Sequence, residues 1–307
     1  MRLITVILLL ALLCAGCGDL PKEAALGADF PITVTDDVGR EVTVTASPGR
    51  IISLAPSNTE ILFALGLGPK IVGVTDFCNY PVEALAKERV GGFANPSLEK
   101  IVFLEPDLVV AADLHRELVL QLDNLKIPVV VLNAHSVEEV LNDIVLVGRV
   151  TGLEKEAERL AGELRARVEA VTERTSKIAP SKRPRVYYEV WHEPLCTAGP
   201  GTFIDDLIGL AGGINVAADA PVPWPQYNTE VIVQKNPEVM LHSYGHGAAA
   251  LQTLEEIARR PGWSNVSCVK SGRVYAIDAD LINRAGPRLV DALEAVARVL
   301  HPEVFGR

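Results

Sequence analysis

Residues 98–110 read LEKIVFLEPDLVV, and residues 229–241 read TEVIVQKNPEVML. Each stretch starts at or next to a glutamate (Glu99, Glu230) and meets a proline seven residues after it (Pro106, Pro237). An acid and an apolar run then follow. A chain that repeats one helix-to-strand sentence on either side of a long charged segment is constrained to two related lobes. The segment between them, 153–177, is LEKEAERLAGELRARVEAVTERTSK. Its small or apolar positions are Ala157, Leu160, Ala161, Leu164, Val168 and Val171, with charges between them. That spacing predicts one helix, ~37 Å long at 1.5 Å per residue, with one side packed and the rest in water.

The rest of the pattern also occurs twice. Arg50 to Leu54 and Arg185 to Val190 read as strands, and Thr59 to Gly68 and Thr202 to Gly213 as helices with glycine stops. Ser57-Asn58-Thr59-Glu60 has the spacing of a capping box. Further strands are expected at 71–74, 108–111 and 128–132, with helices from about 97, from about 115 and over 136–150. A hairpin is expected over 31–46, turning at Asp37-Val38-Gly39. Matching elements are unequally spaced, which excludes a fixed-period solenoid. The expected fold class is α/β: two similar lobes with mainly parallel sheets, bridged by one long rigid helix, with a ligand cleft between the lobes. The expected divisions are 1–16 signal peptide, 17–30 tether, 31–151 N-terminal lobe, 152–180 bridging helix and 181–307 C-terminal lobe.

Arg2, the apolar run Leu3 to Leu13, and Cys14-Ala15-Gly16-Cys17 form an export signal. The run is shorter than the ~20 apolar residues that span a bilayer. Small residues just before Cys17 resemble the lipobox of bacterial lipoproteins, which implies a lipid anchor on Cys17 outside the cell membrane or a periplasmic location. Cys14 stands where that pattern has leucine, with Leu13 one place earlier. Cys78, Cys196 and Cys268 then remain, an odd number that argues against a disulfide framework. A net charge of −10 argues against nucleic acid as a partner.

RIISLAPSNTEILFALGLGPKIVGVTDFCNYP, VGGF before LEKIVFLEPDLVV, and GGINV followed by VPWPQYNTEVI together resemble the substrate-binding proteins of ABC importers for cobalamin, iron-siderophores and haem. The resemblance spans roughly 48–302 and is nearest the cobalamin-binding branch, on Ser57 to Glu60, Asn79-Tyr80-Pro81 and Val222 to Gln226. It implies two α/β lobes, a monomer without cofactor or catalysis, and a corrinoid carried to a permease dimer with its ATPase. The alternatives are a ferric siderophore or haem. A secreted metal-dependent or Cys/His hydrolase is a remote one, since no GxSxG or HExxH occurs and the one CxxC, Cys14 to Cys17, falls in the export signal.

Glu99 and Glu230 each sit in the first turn of an expected helix, Asn95-Pro96 and Asn228 supplying caps. The helix dipole alone favours a carboxylate there by roughly 0.3–1 kcal/mol. The resemblance implies more: one glutamate per lobe salt-bridged to arginines of the permease. Phe77, Tyr80 and Phe93 of the first lobe and Trp191, His192 and Trp224 of the second fall in loops after expected strands, as ligand-stacking residues or as loop packing. Phe77 stands where the family has tyrosine, and Ala112 where its cobalamin binder has an aromatic. In HSYGHG (242–247), His242 and His246 are four apart, but the glycines make this a loop. Polar cleft contacts are one reading; His242 or Tyr244 meeting the ligand, as axial ligand to cobalt or iron, is another. No metal site is expected. GPGTF (199–203) lacks the lysine of a phosphate loop and is expected as a close turn with Thr202 as a cap.

Overall fold

The computed structural model describes residues 29–243 and 252–306. Strands β1 (Ile32–Thr35) and β2 (Glu41–Val44) form the expected antiparallel hairpin, with Ile32 opposite Val44. Alternation buries Val34, Val42 and Val44 on one side.

The first sheet then alternates with helices: β3 (Ile51–Ser53), α1 (Pro56–Ala64), β4 (Ile71–Val74), β5 (Glu88–Arg89), α2 (Leu98–Phe103), β6 (Leu108–Ala112), α3 (Arg116–Asn124) and β7 (Val129–Leu132). Its order is β5-β4-β3-β6-β7, parallel throughout. Strands covered on both faces need apolar side chains at every position, hence IVGV, LVVAA and VVVL. Two expected caps are corrected. Helix α1 starts at Pro56 after Ala55 and has no side-chain cap, so Ser57 to Glu60 lies inside the helix. Ser97, not Asn95, caps α2 by accepting from the Lys100 N–H at 3.3 Å.

Two helices follow, α4 (Val137–Thr151) and α5 (Glu154–Thr175). The expected long helix is α5, and α4 lies against it. Gly152 turns the chain between them at φ 76°. A Cβ on Gly148 would lie 2.2 Å from that of Ala157, so glycine is what allows the two backbones to approach. Both helices serve both cores. Leu141, Ile144 and Val147 of α4 and Ala157, Ala161 and Leu164 of α5 join the first-lobe core, while Val137, Val140 and Val171 join the second. Asp206 Oδ2 of the second lobe accepts from the Val137 N–H at 2.8 Å.

The second lobe contains β8 (Arg185–His192), β9 (Leu195–Thr197), α6 (Phe203–Leu210), β10 (Ile214–Asn215), β11 (Gln226–Tyr227), α7 (Thr229–Lys235) and β12 (Val239–His242). It is completed by α8 (Leu254–Ala258), α9 (Ser267–Lys270), β13 (Val274–Ala276), α10 (Ala279–Ile282), α11 (Leu289–Leu300) and α12 (Pro302–Phe305). Its sheet runs β11-β9-β8-β12-β13, with β10 also on β8. β10, β8, β12 and β13 pair in parallel, whereas β9 and β11 fold back antiparallel. That folded edge carries the Val222–Pro225 strap, held by the Gly199 N–H to Pro223 O at 2.7 Å. A Cβ on Gly199 would meet Val222 O at 2.8 Å, which accounts for the first glycine of GPGTF. Thr202 caps α6 as expected, accepting from the Asp205 N–H at 3.1 Å.

Candidate functional site: an aromatic cleft between two sheets

The carboxyl ends of the strands in both lobes converge on a cleft of about 470 Å³. The first lobe contributes the turn after β3 (Ala55 to Ser57), Phe77 after β4 and Phe93 after β5. The second contributes Trp191 at the end of β8, Trp224 of the strap, and Arg284 just after α10. Phe77, Trp191 and Trp224 are 45%, 42% and 51% exposed. Three large rings, each about half exposed, thus border one space and give it an apolar surface.

The loops carrying these rings are fixed from behind. His115 Nδ1 accepts the Ala112 N–H at 3.0 Å, so the proton resides on Nε2, which donates to Phe93 O at 2.6 Å. Burial holds this imidazole below the ordinary histidine pKa, keeping it neutral. Its ring also meets Phe93 edge-on, with centroids 5.6 Å apart. Across the cleft, Asn283 Nδ2 donates to Ser243 Oγ at 3.0 Å, and both bond the buried Tyr188 hydroxyl. Desolvation raises that phenol above its usual range.

One side of the cleft is closed by a buried ion cluster joining the lobes. Glu60 of α1 accepts from Arg284 Nη1 at 3.0 Å and from Arg288 at 2.6 and 2.8 Å. Arg284 also donates to Asn79 Oδ1 at 2.8 Å and to Asp280 Oδ1 at 2.6 Å. Asn79 Nδ2 in turn donates to Asp280 Oδ2 at 2.7 Å. Two arginines and two carboxylates balance, as buried charges must. Sequence reasoning passed over Arg284, Arg288, Asp280 and His115. The only signal was a glutamate among apolar residues of a short helix.

The structure brings Phe77, Phe93, Trp191 and Trp224 together. Tyr80 lies elsewhere: it faces a separate groove of about 810 Å³ beside α1, with the Arg288 guanidinium 3.7 Å above its ring. The His192 ring lies tilted against that of Trp191, with centroids 5.2 Å apart, alongside the cleft rather than in its lining. His242 is the buried last residue of β12. Alternation puts it on the face of Met240, away from Leu241 and towards Glu189 and Arg260; burial lowers its pKa. Cys17, Tyr244 and His246 fall outside the described residues.

Glu99 and Glu230 both occupy exposed first turns, of α2 and α7. Asn228 caps α7 as expected, accepting from the Val231 N–H at 2.9 Å. Phe103, one turn beyond Glu99, is 84% exposed. Among the described residues, Cys78, Cys196 and Cys268 are free thiols, no group of His, Cys, Asp and Glu is arranged to hold a metal, and no helix is long and apolar enough to cross a membrane.

The family model "Periplasmic binding protein" matches residues 51–281. An uncharacterized ABC transporter substrate-binding lipoprotein of Bacillus subtilis, YvrC, is 36% identical, with 97% of this chain and 96% of that protein covered. The crystal structure of the periplasmic vitamin B12 binding protein BtuF of Vibrio cholerae superposes with a TM-score of 0.71 at 30% identity, covering 83% of this chain and 97% of that one. The periplasmic heme-binding protein BhuT in complex with two hemes gives a TM-score of 0.75 at 26% identity, covering 84% and 100%. Matched by the family model over more than half its length, and nearly end to end by a substrate-binding lipoprotein, the chain belongs to the periplasmic binding protein family.

Proposed function

We propose that the protein is the exported substrate-binding component of an ABC transporter, anchored through lipid on Cys17, and that it carries a corrinoid to the permease dimer. The observation behind the ligand is the half-exposed aromatic set Phe77, Trp191 and Trp224 around one inter-lobe cleft, with Phe93 beside it. A broad, flat, partly apolar molecule buries such rings, and the likeness to a vitamin B12 binding protein points the same way. The chain's part is capture and delivery, as in its binding-protein relatives. Glu99 and Glu230 are the docking charges, giving register and association rate more than affinity. Haem is the second reading, on the likeness to a heme-binding protein.

Calorimetry with cyanocobalamin, cobinamide, haem and a ferric hydroxamate tests the ligand. Tight, stoichiometric binding of a corrinoid, weakened ~10-fold or more in Trp224→Ala, is expected. Heat with haem alone would replace the first reading with the second.

A further inference from the structure

The cleft has a second, more polar compartment. A cavity of about 290 Å³ shares Ser57, Phe93, Phe203 and Asn283 with it and extends it towards α4, reaching Asn58, Asn133 and Asp143. The charges around the combined space are committed or of one sign. Arg284 faces the cleft, but Glu60 and Asp280 neutralise it. Asp113 pairs with Arg116 at 2.9 Å. Asp143 is buried and hydrogen-bonded to Asp37; burial and the nearby Asp37 charge push its carboxyl up to about 10, so it is neutral at pH 7. Behind it stand further acids, Glu139 and Asp206, with the Asp37 carboxylate accepting the Asn133 N–H at 2.7 Å. What this compartment offers is amide groups, a hydroxyl and a negative field. Among the described lining residues the one cation, Arg284, spends its Nη groups on Glu60, Asn79 and Asp280 and keeps its unbonded Nε buried.

We propose that this rear compartment is the specificity filter of the cleft: it admits uncharged, hydrogen-bond-donating groups such as carboxamides and rejects carboxylates. The inference rests on the cleft being the ligand site. A carboxamide can donate to Asn and Ser oxygens there, while a carboxylate loses its water and finds neither an accessible cation nor a favourable field. The compartment therefore sorts ligands that share a ring system but differ in the ends of their side chains.

The test compares cobinamide, whose ring carries carboxamides, with cobyrinic acid, the same ring bearing carboxylates, by calorimetry at pH 7. Cobinamide is expected to bind at least ~30-fold more tightly. Leu114→Lys places a cation at the compartment's rim, on a side chain already 48% exposed. It is expected to narrow the gap between cobinamide and cobyrinic acid by at least ~5-fold. Equal affinity for the two ligands, or a Leu114→Lys protein that fails to discriminate between them differently, overturns the filter while leaving the corrinoid reading standing. If neither corrinoid binds, that reading fails, and haem against its diamide decides the filter by the same preference. A cleft that takes neither pair overturns both.

Discussion

Arg288 of the second lobe grips Glu60 of the first through two hydrogen bonds, Nε to Oε2 at 2.8 Å and Nη2 to Oε1 at 2.6 Å. Arg284 reaches the same carboxylate at 3.0 Å. The lobes thus meet through one buried acid that answers two bases. Truncating Glu60 strands Arg288 and leaves Arg284 with Asp280 as its one carboxylate partner. Glu60→Ala should cost ~3 kcal/mol or more in urea unfolding, since an uncompensated buried charge is worse than no pair. Glu60→Gln should fall between. A Glu60→Ala protein within ~0.5 kcal/mol of the parent would show that water reaches the cluster.

The Gly148–Ala157 contact predicts a compensating pair. Gly148→Ala gains ~1 kcal/mol of helix propensity but forces the two helices apart, at an overpacking cost of ~1–3 kcal/mol or more for a 2.2 Å approach. The net change should be destabilising. Adding Ala157→Gly should return most of the loss, giving a non-zero coupling energy in a double-mutant cycle. Strict additivity would mean that the helices already have room to separate.

Asp143 makes a pH prediction. Its folded-state pKa of about 10 lies above the ordinary 3.8, so the folded protein holds a proton that the unfolded chain has released. The contribution is fully present below about pH 4 and is lost as pH rises towards 10, so this residue lowers stability with increasing pH. Asp143→Asn keeps a hydrogen-bond donor towards Asp37 without that proton. It should flatten the stability profile between pH 5 and 9 and add on the order of a few kcal/mol at pH 7. Parallel profiles for the two proteins would show that Asp143 is ionised in the fold.

The docking charges predict a separation of functions. The double variant Glu99→Lys, Glu230→Lys should abolish ligand-dependent ATPase stimulation in reconstituted transporter while ligand affinity stays within ~2-fold, because both side chains stand outside the cleft. Phe103→Ser, one turn from Glu99, should lower stimulation without raising the salt sensitivity of docking. Full stimulation by the double variant would remove both glutamates from the interface.

The legible parts of this molecule were those written locally. Alternation marked the hairpin, continuous apolar runs marked the parallel strands, and Asn228 and Thr202 announced their helices by residue type. The aromatics were legible as loop residues after strands. Where local spacing had two meanings, it misled. Ser57 to Glu60 spells a capping box, yet Glu60 is taken by arginines more than two hundred positions away, and no local pattern contains that partner. His242 sits at the end of a strand, where only the pleat decides its side; a one-residue difference in strand length would reverse it. Asn95-Pro96 lost the cap of α2 to Ser97 because Ser97 is simply the residue next to the first turn.

The paired helices α4 and α5 carry a consequence for how the molecule can be divided. The amino-terminal end of α4 is finished by the second lobe's core, through Val137 and Val140, and the body of α5 begins in the first. The chain therefore passes between the lobes three times, and a cut at Gly152 leaves each fragment with an apolar face whose cover is on the other. Despite their family likeness to each other, the lobes are not modules. Neither should fold alone, neither can be exchanged for a relative's without its share of the helix pair, and the protein should unfold in one transition rather than two.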